Sequence, residues 1–421
     1  MFYRKILFRI YWLVSILMVL FISTPSAYSK KRDTPHKKNE LRFWHFIGTY
    51  NKNILISSIN TFNETNRLTL VKGIFQGNEE DIYLKLLSRE NLPDIVQIPV
   101  HFLPTLKEKD YLADITSLIT NKLKGDISEK FWNSVSIQER IYGIPFLYSV
   151  NILFVNQHML RISGVKQEKV PLTWDDIITI TGKIKQNPRN KWAVFIPIDT
   201  MTQFISFVQS YTGKAVIQDG RIIIDTDEIT AAMAFLQNLV YQYEIMPPKI
   251  SVDEGVALFL SGNLGIMLAS SSILVYTESN LPYDMNVWHL PSHKNIPPVV
   301  TGSCLVILKS NPKREREAFK FIEHLIDYDN AITWHTHTGN PSIRTSVKES
   351  LDLLIFYEDN PNHMASTIEL EKGEIYNPVV GYMDVNTIIK KALEEIMING
   401  EDPDKILSEA QAEINKLDIV F

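Results

Sequence analysis

The sequence predicts an α/β protein built from two blocks, and three observations predict it. Short apolar, strand-like runs alternate with longer helical stretches from Leu41 to about Leu308, the pattern of sheets whose strands pair largely in parallel. The alternation starts afresh near Asn151-Ile-Leu-Phe-Val155. The chain has 421 residues, 45% hydrophobic and 22% charged, enough for two or three packed domains of roughly 100–200 residues each.

Each element follows from local pattern. Leu41-Arg-Phe-Trp-His45 reads as the first strand. Residues 54–63 read as a helix, with Ile54, Leu55, Ser58, Ile59 and Phe62 on one face. Leu68-Thr-Leu-Val71 is the second strand, residues 79–88 the next helix, and Asp94-Ile-Val-Gln-Ile98 the third strand. In the second block, Thr173 is a plausible N-cap, and Asp175 and Asp176 suit the positive end of the helix that follows. Asp219-Gly220 reads as a turn. Residues 228–243, 314–326, 385–398 and 403–417 read as further helices.

Composition excludes several functions. The formal net charge is −5, so no basic excess exists to hold nucleic acid. Cys304 is the single cysteine, which rules out an intrachain disulfide and clustered-thiolate metal or iron–sulfur sites. No cofactor is expected. His335 and His337 would share one face of a strand, but two imidazoles without a third ligand make a weak metal signal, and no metal site is assigned.

The N-terminus carries an export pattern. Arg4, Lys5 and Arg9 precede an apolar run of 13 residues, 10–22, and then Ala27 and Ser29 at small-residue positions. This is the order of a secretory signal; an uncleaved membrane anchor is the alternative, against which the run is short of the roughly 20 residues that span a bilayer. With no cysteine near the cut, a lipid anchor is not expected. The Lys30-to-Lys38 charge run reads as a solvated linker.

Seven segments in order carry a resemblance. They are Phe43-Trp44-His45, Arg140-Ile-Tyr-Gly-Ile-Pro-Phe146, Ile152-Leu-Phe-Val-Asn156, Pro171-Leu-Thr-Trp-Asp175, Phe259-Leu-Ser-Gly262, Ile266-Met-Leu-Ala-Ser-Ser271 and Trp334-His-Thr-His-Thr-Gly339. Through them the chain resembles the family-1 extracellular solute-binding proteins of ABC importers, within them the sn-glycerol-3-phosphate and carbohydrate branch.

The resemblance implies a two-lobed periplasmic binding protein (type II) fold, with a ligand cleft between lobes and a multi-strand hinge. The crossings fall near 145–151, 299–306 and 339–343. The implied division is a signal peptide at 1–29, a linker at 30–40, a first lobe of 41–147 plus about 300–340, and a second of about 148–299 plus 341–421. The implied function is capture of a carbohydrate, polyol or glycerol-phosphate-type solute in the periplasm and its delivery to permease subunits served by a separate ATPase. The protein is expected to be a monomer and not an enzyme, so no catalytic residues are assigned.

Implied ligand contacts are His45, Tyr148, Ser149, Ser270, Ser271 and Gly302, with Glu79 and Asn340 standing where the glycerol-phosphate branch has tyrosines. Val100 replaces a binding glutamate, Val379 falls near a phosphate-facing arginine, and residues 195–204 lack the branch's tryptophan. These departures argue against phosphate and leave a neutral sugar or polyol at least as well supported. A sensor or adhesin that keeps the fold without transport is the alternative. A hydrolase is disfavoured, because the sequence holds no Gly-x-Ser-x-Gly elbow.

Overall fold

The computed structural model describes residues 38–165, 171, 173–218, 221–249, 251–291, 296–375 and 381–417. The expected signal, the linker up to residue 37, the Asp219-Gly220 turn and Val379 lie outside them. No helix among the described residues is long and apolar enough to cross a membrane.

Strand β1 (Asn39–His45) runs into α1 (Lys52–Thr65), which buries Leu55, Ser58, Ile59 and Phe62 at helical spacing. Strand β2 (Thr69–Phe75) lies parallel to β1. Helix α2 (Glu79–Ser88) opens on a capping box, in which Asn78 accepts from the Asp81 N–H and Asp81 accepts from that of Asn78. Strand β3 (Ile95–Pro99) is also parallel to β1. Strand β4 spans Gly143–Asn156.

Helix α3 (Trp174–Gln186) starts on a second capping box, made by Thr173 and Asp176. Strand β5 (Trp192–Phe195), helices α4 (Met201–Thr212) and α5 (Asp227–Tyr241), and strand β6 (Leu264–Ser270) follow. Helix α6 (Leu274–Asn280) precedes β7 (Met285–Trp288) and β8 (Val299–Ile307). Either side of Asp219-Gly220, Ile217 pairs with Ile222 and Gln218 with Arg221.

Strand β4 belongs to two sheets. Its residues 143–150 pair with β8, which also pairs with β3. Its residues 151–156 pair with β6 and β7, and β6 pairs with β5 in parallel. The expected parallel pairing holds among β1, β2 and β3, between β5 and β6, and where Val299 and Val300 of β8 meet Glu374 and Ile375. The crossing strands β4 and β8 are antiparallel, because the chain traverses the junction outward on one and back on the other.

Helices α7 (Pro312–Leu325), α8 (Tyr328–Thr338), α9 (Leu351–Asp359), α10 (Asn362–Lys372), α11 (Tyr382–Met397) and α12 (Pro403–Ile414) complete the chain. His335 and His337 lie on α8 and not on a strand. Two positions apart on a helix they diverge: His335 is buried and His337 exposed, which removes the shared face a metal pair needs. Beyond α8, the Arg344 guanidinium donates to Asp126 Oδ2 at 2.7 Å, and Ser346 donates to the same carboxylate through its N–H and its hydroxyl. This strap pins the chain just past residue 340.

Candidate functional site

A cleft of about 410 Å³ opens where β1 and β3 end, over the middle of β4 and the first half of β8, against the segment after β6 and the start of α11. The volume is in the range of small-molecule sites. Its floor is the junction of β4 with β8, where Ser149 and Thr301 are strand partners with hydroxyl oxygens 3.3 Å apart.

Five of the expected contacts line this cleft: Glu79, Ser149, Ser270, Gly302 and Asn340. Ser270 is the last residue of β6, and its hydroxyl lies 2.9 Å from that of Ser272. Asn340 follows the left-handed Gly339 at the end of α8 and is held by Thr338 Oγ1, which accepts from its amide and its backbone N–H at 2.9 Å each.

The other three stand elsewhere. Tyr148 is buried, points away from the cleft, and shares a 2.7 Å hydrogen bond with the Ser134 hydroxyl. Its ring meets Phe131 edge-on at 4.7 Å. Ser271 is buried, and its hydroxyl accepts from the Val150 N–H at 3.4 Å. Tyr148 lies on a strand whose side chains alternate between cleft and core, whereas Ser271 opens a short 3-10 turn, Ser271–Ile273, and is turned inward there. His45 is buried between Phe43 and Phe75, at 5.5 and 5.9 Å between ring centres. It borders a separate groove between α1 and β2.

Several lining residues had no place in the sequence reading. Gln97 on β3 donates from Nε2 to Ser303 Oγ at 3.0 Å. His101 stacks on Tyr382 with ring centres 3.7 Å apart and planes 20° apart. Thr200, the N-cap of α4, and Thr202 add hydroxyls, while Phe46, Tyr50 and Tyr382 add rings. Gln97 carried a readable signal, a lone amide in the otherwise apolar run Ile95–Pro99. His101 and Tyr382 carried none, because 281 positions separate residues that meet only in the fold.

Two buried atoms in the cleft have no hydrogen-bond partner, Gln97 Oε1 and His101 Nε2. Such groups cost free energy unless something fills them. Burial drops His101 to about 3, so its imidazole is neutral at physiological pH. Glu79 is reached by water at the first turn of α2, yet the surrounding protein lifts its carboxyl to about 7, with like-charge repulsion from Glu80 adding to the rise. Among the described lining residues there is no lysine or arginine.

Across the mouth, the Tyr50 hydroxyl donates to Asp253 Oδ1 and the Asn51 amide donates to the Ser272 carbonyl, both at 3.4 Å. Tyr50 also packs on Tyr276 at 4.3 Å between ring centres. The loop after β1 therefore touches the segment after β6 directly.

A sequence profile of bacterial extracellular solute-binding proteins matches residues 57–365. The chain belongs to that family. Among relatives of this solute-binding protein, the sn-glycerol-3-phosphate-binding periplasmic protein UgpB of Yersinia pseudotuberculosis is 21% identical over 305 residues, covering 64% of this chain and 65% of its own. Among solved structures, UgpB from Mycobacterium tuberculosis in complex with glycerophosphocholine matches with a TM-score of 0.79 at 17% identity, over 90% of this chain and 98% of its own. An ABC transporter solute-binding protein from Thermotoga lettingae bound with α-D-tagatose matches at 0.79 and 20%, over 90% and 99%. The fold of this solute-binding protein is thus the two-lobed periplasmic binding protein fold, and the sheet-sharing strand β4 and its partner β8 run through the floor of its cleft.

Proposed function

We propose that this protein captures a carbohydrate or polyol without a phosphate group and delivers it to the permease of an ABC importer powered by a separate ATPase. The observation that carries the reading is the lining of the cleft. It offers hydroxyls from Ser149, Thr200, Thr202, Ser270 and Thr301, amides from Asn51, Gln97 and Asn340, and aromatic faces. Hydroxyls and amides match the oxygens of a sugar, and rings cover its C–H surface.

Phosphate fits this cleft poorly. It needs cationic side chains or a free helix start. No described lining residue is cationic; the start of α2 carries Glu79, Glu80 and Asp81 in its first turn, and at the start of α4 the Gln203 N–H is taken by Thr200 and the Met201 N–H by Asn386. Asp384 occupies the first turn behind Tyr382.

In this reading residues 1–29 export the chain to the periplasm as an unlipidated monomer and 30–40 link it to the first lobe. The first lobe comprises 41–147 with about 300–340, and the second about 148–299 with 341–421. The family and the shared strand β4 support this division.

A thermal-shift screen of the chain from Lys30 tests the function. Neutral sugars and polyols are set against glycerol-3-phosphate and its diesters. A ligand at about 100 times its dissociation constant stabilises by roughly 2.7 kcal/mol, a rise of about 3 °C for a chain of this size. A shift with a neutral polyhydroxyl supports the reading. A larger shift with glycerol-3-phosphate refutes the exclusion of phosphate. Unchanged uptake of the identified ligand in a deletion strain would leave a sensor or adhesin as the better account.

A further inference from the structure

Glu79 is the one carboxylate among the described residues that line the cleft, and no lysine or arginine stands among them. It makes no ion pair or hydrogen bond with any described residue. The nearest charge felt by its carboxyl is that of Glu80, which has the same sign. Three acids crowd the first turn of α2, while the basic residue of that helix, Lys85, sits in its last turn and donates to the Gln76 carbonyl at 2.9 Å. The cleft therefore has a negative charge on one wall and no protein cation to answer it.

A second feature points the same way. Gln97 is 1% exposed, and its Nε2 is committed to Ser303. Its Oε1 is left as a buried acceptor without a donor. An acceptor of this kind is satisfied only by an N–H or O–H from a guest. The cleft thus holds an acceptor without a donor and a carboxylate without a cation, and one functional group on a guest answers both.

Resting on the carbohydrate reading above, we propose that the cleft selects an amino sugar, a polyhydroxyl compound bearing a primary ammonium group that pairs with Glu79. Hydroxyls on the same ligand engage Gln97, Ser149 and Ser270, and the stacked ring of Tyr382 covers an apolar face. Glu79 is then the specificity-determining residue of the site. The ammonium would also hold the Glu79 carboxyl in its charged form, offsetting the rise caused by its surroundings.

Isothermal titration with D-glucosamine, D-galactosamine and D-mannosamine, each beside its neutral parent hexose and its N-acetyl derivative, tests this on the chain from Lys30. The expected result is at least tenfold tighter binding of one amine than of its parent and of its uncharged N-acetyl form. Glu79→Gln should erase that preference while its unfolding midpoint without ligand stays that of the parent chain, so a folding defect cannot mimic the result. Preference for the amine should also fade as pH drops below about 7, where the Glu79 carboxyl takes up a proton. Equal binding of amine and parent, or a preference that survives Glu79→Gln, overturns the inference and leaves the carbohydrate reading standing. Binding of no sugar at all by a folded sample overturns both.

Discussion

The ring of Tyr148 lies against the bare α-carbon of Gly302, its partner across the β4–β8 ladder. A Cβ placed on Gly302 would fall 2.3 Å from Tyr148 Cδ1. The glycine is therefore required by its neighbour's ring. Gly302→Ala should destabilise the protein by about 1–3 kcal/mol, the usual cost of overpacking, measured by chemical denaturation. A variant as stable as the parent would show that the ladder yields easily.

Tyr148→Phe separates structure from binding. It removes a buried hydroxyl that bonds Ser134 at 2.7 Å and keeps the ring. A loss of about 1–2 kcal/mol is expected, with ligand affinity within twofold of the parent. A large rise in dissociation constant would mean that Tyr148 reaches the ligand after all.

His45→Ala and His101→Ala should part company in the same titration. His45 faces the groove between α1 and β2, while His101 lines the cleft with an unpartnered Nε2. The first variant should bind normally. The second should bind at least tenfold more weakly, near the loss of one good hydrogen bond to ligand.

Acid should destabilise the fold in a defined window. Burial lowers His101 and His335 to about 3 each, against about 6.5 in the unfolded chain. The unfolded state then binds more protons, so stability is complete above pH 6.5 and falls as pH drops from there toward 3. The slope is up to about 1.4 kcal/mol per pH unit for each histidine. His101→Gln should flatten the profile of unfolding free energy between pH 6.5 and 4. An unchanged slope would place the titration elsewhere.

Asp126→Ala should loosen the third crossing. The carboxylate and Arg344 are both largely buried, and Ser346 shares the same acceptor. Leaving the guanidinium unanswered is expected to cost about 3 kcal/mol. A cost below 1 kcal/mol would show that water replaces the carboxylate.

Much of this was legible from residues alone. Thr173 and Asp175-Asp176 announce α3 because capping chemistry is local, and residues 79–88 announce α2 for the same reason. The segments that form the cleft were legible too: 148–149, 270–272 and 301–303. Which residue of each faces the cleft was not. In β4 the facing changes with every position, so Ser149 enters the cleft and Tyr148 the core. Ser271 is inside because the chain leaves β6 for a 3-10 turn at that residue. His335 and His337 were misread because a short polar run with alternating histidines fits either period, and α8 is fixed by the packing of Trp334 and Thr338. The stack of His101 on Tyr382 is tertiary and leaves no mark in either local sequence.

Strand β4 can be read as two interleaved records. Leu147, Ser149 and Asn151 are half-buried, while Tyr148, Val150 and Ile152 are enclosed. One row borders open space, the cleft for Leu147 and Ser149, and the other the scaffold, on a single stretch of backbone. A lineage could therefore rewrite its menu at Ser149 while every neighbour goes on spelling the same architecture, which is how one frame can outlast many diets.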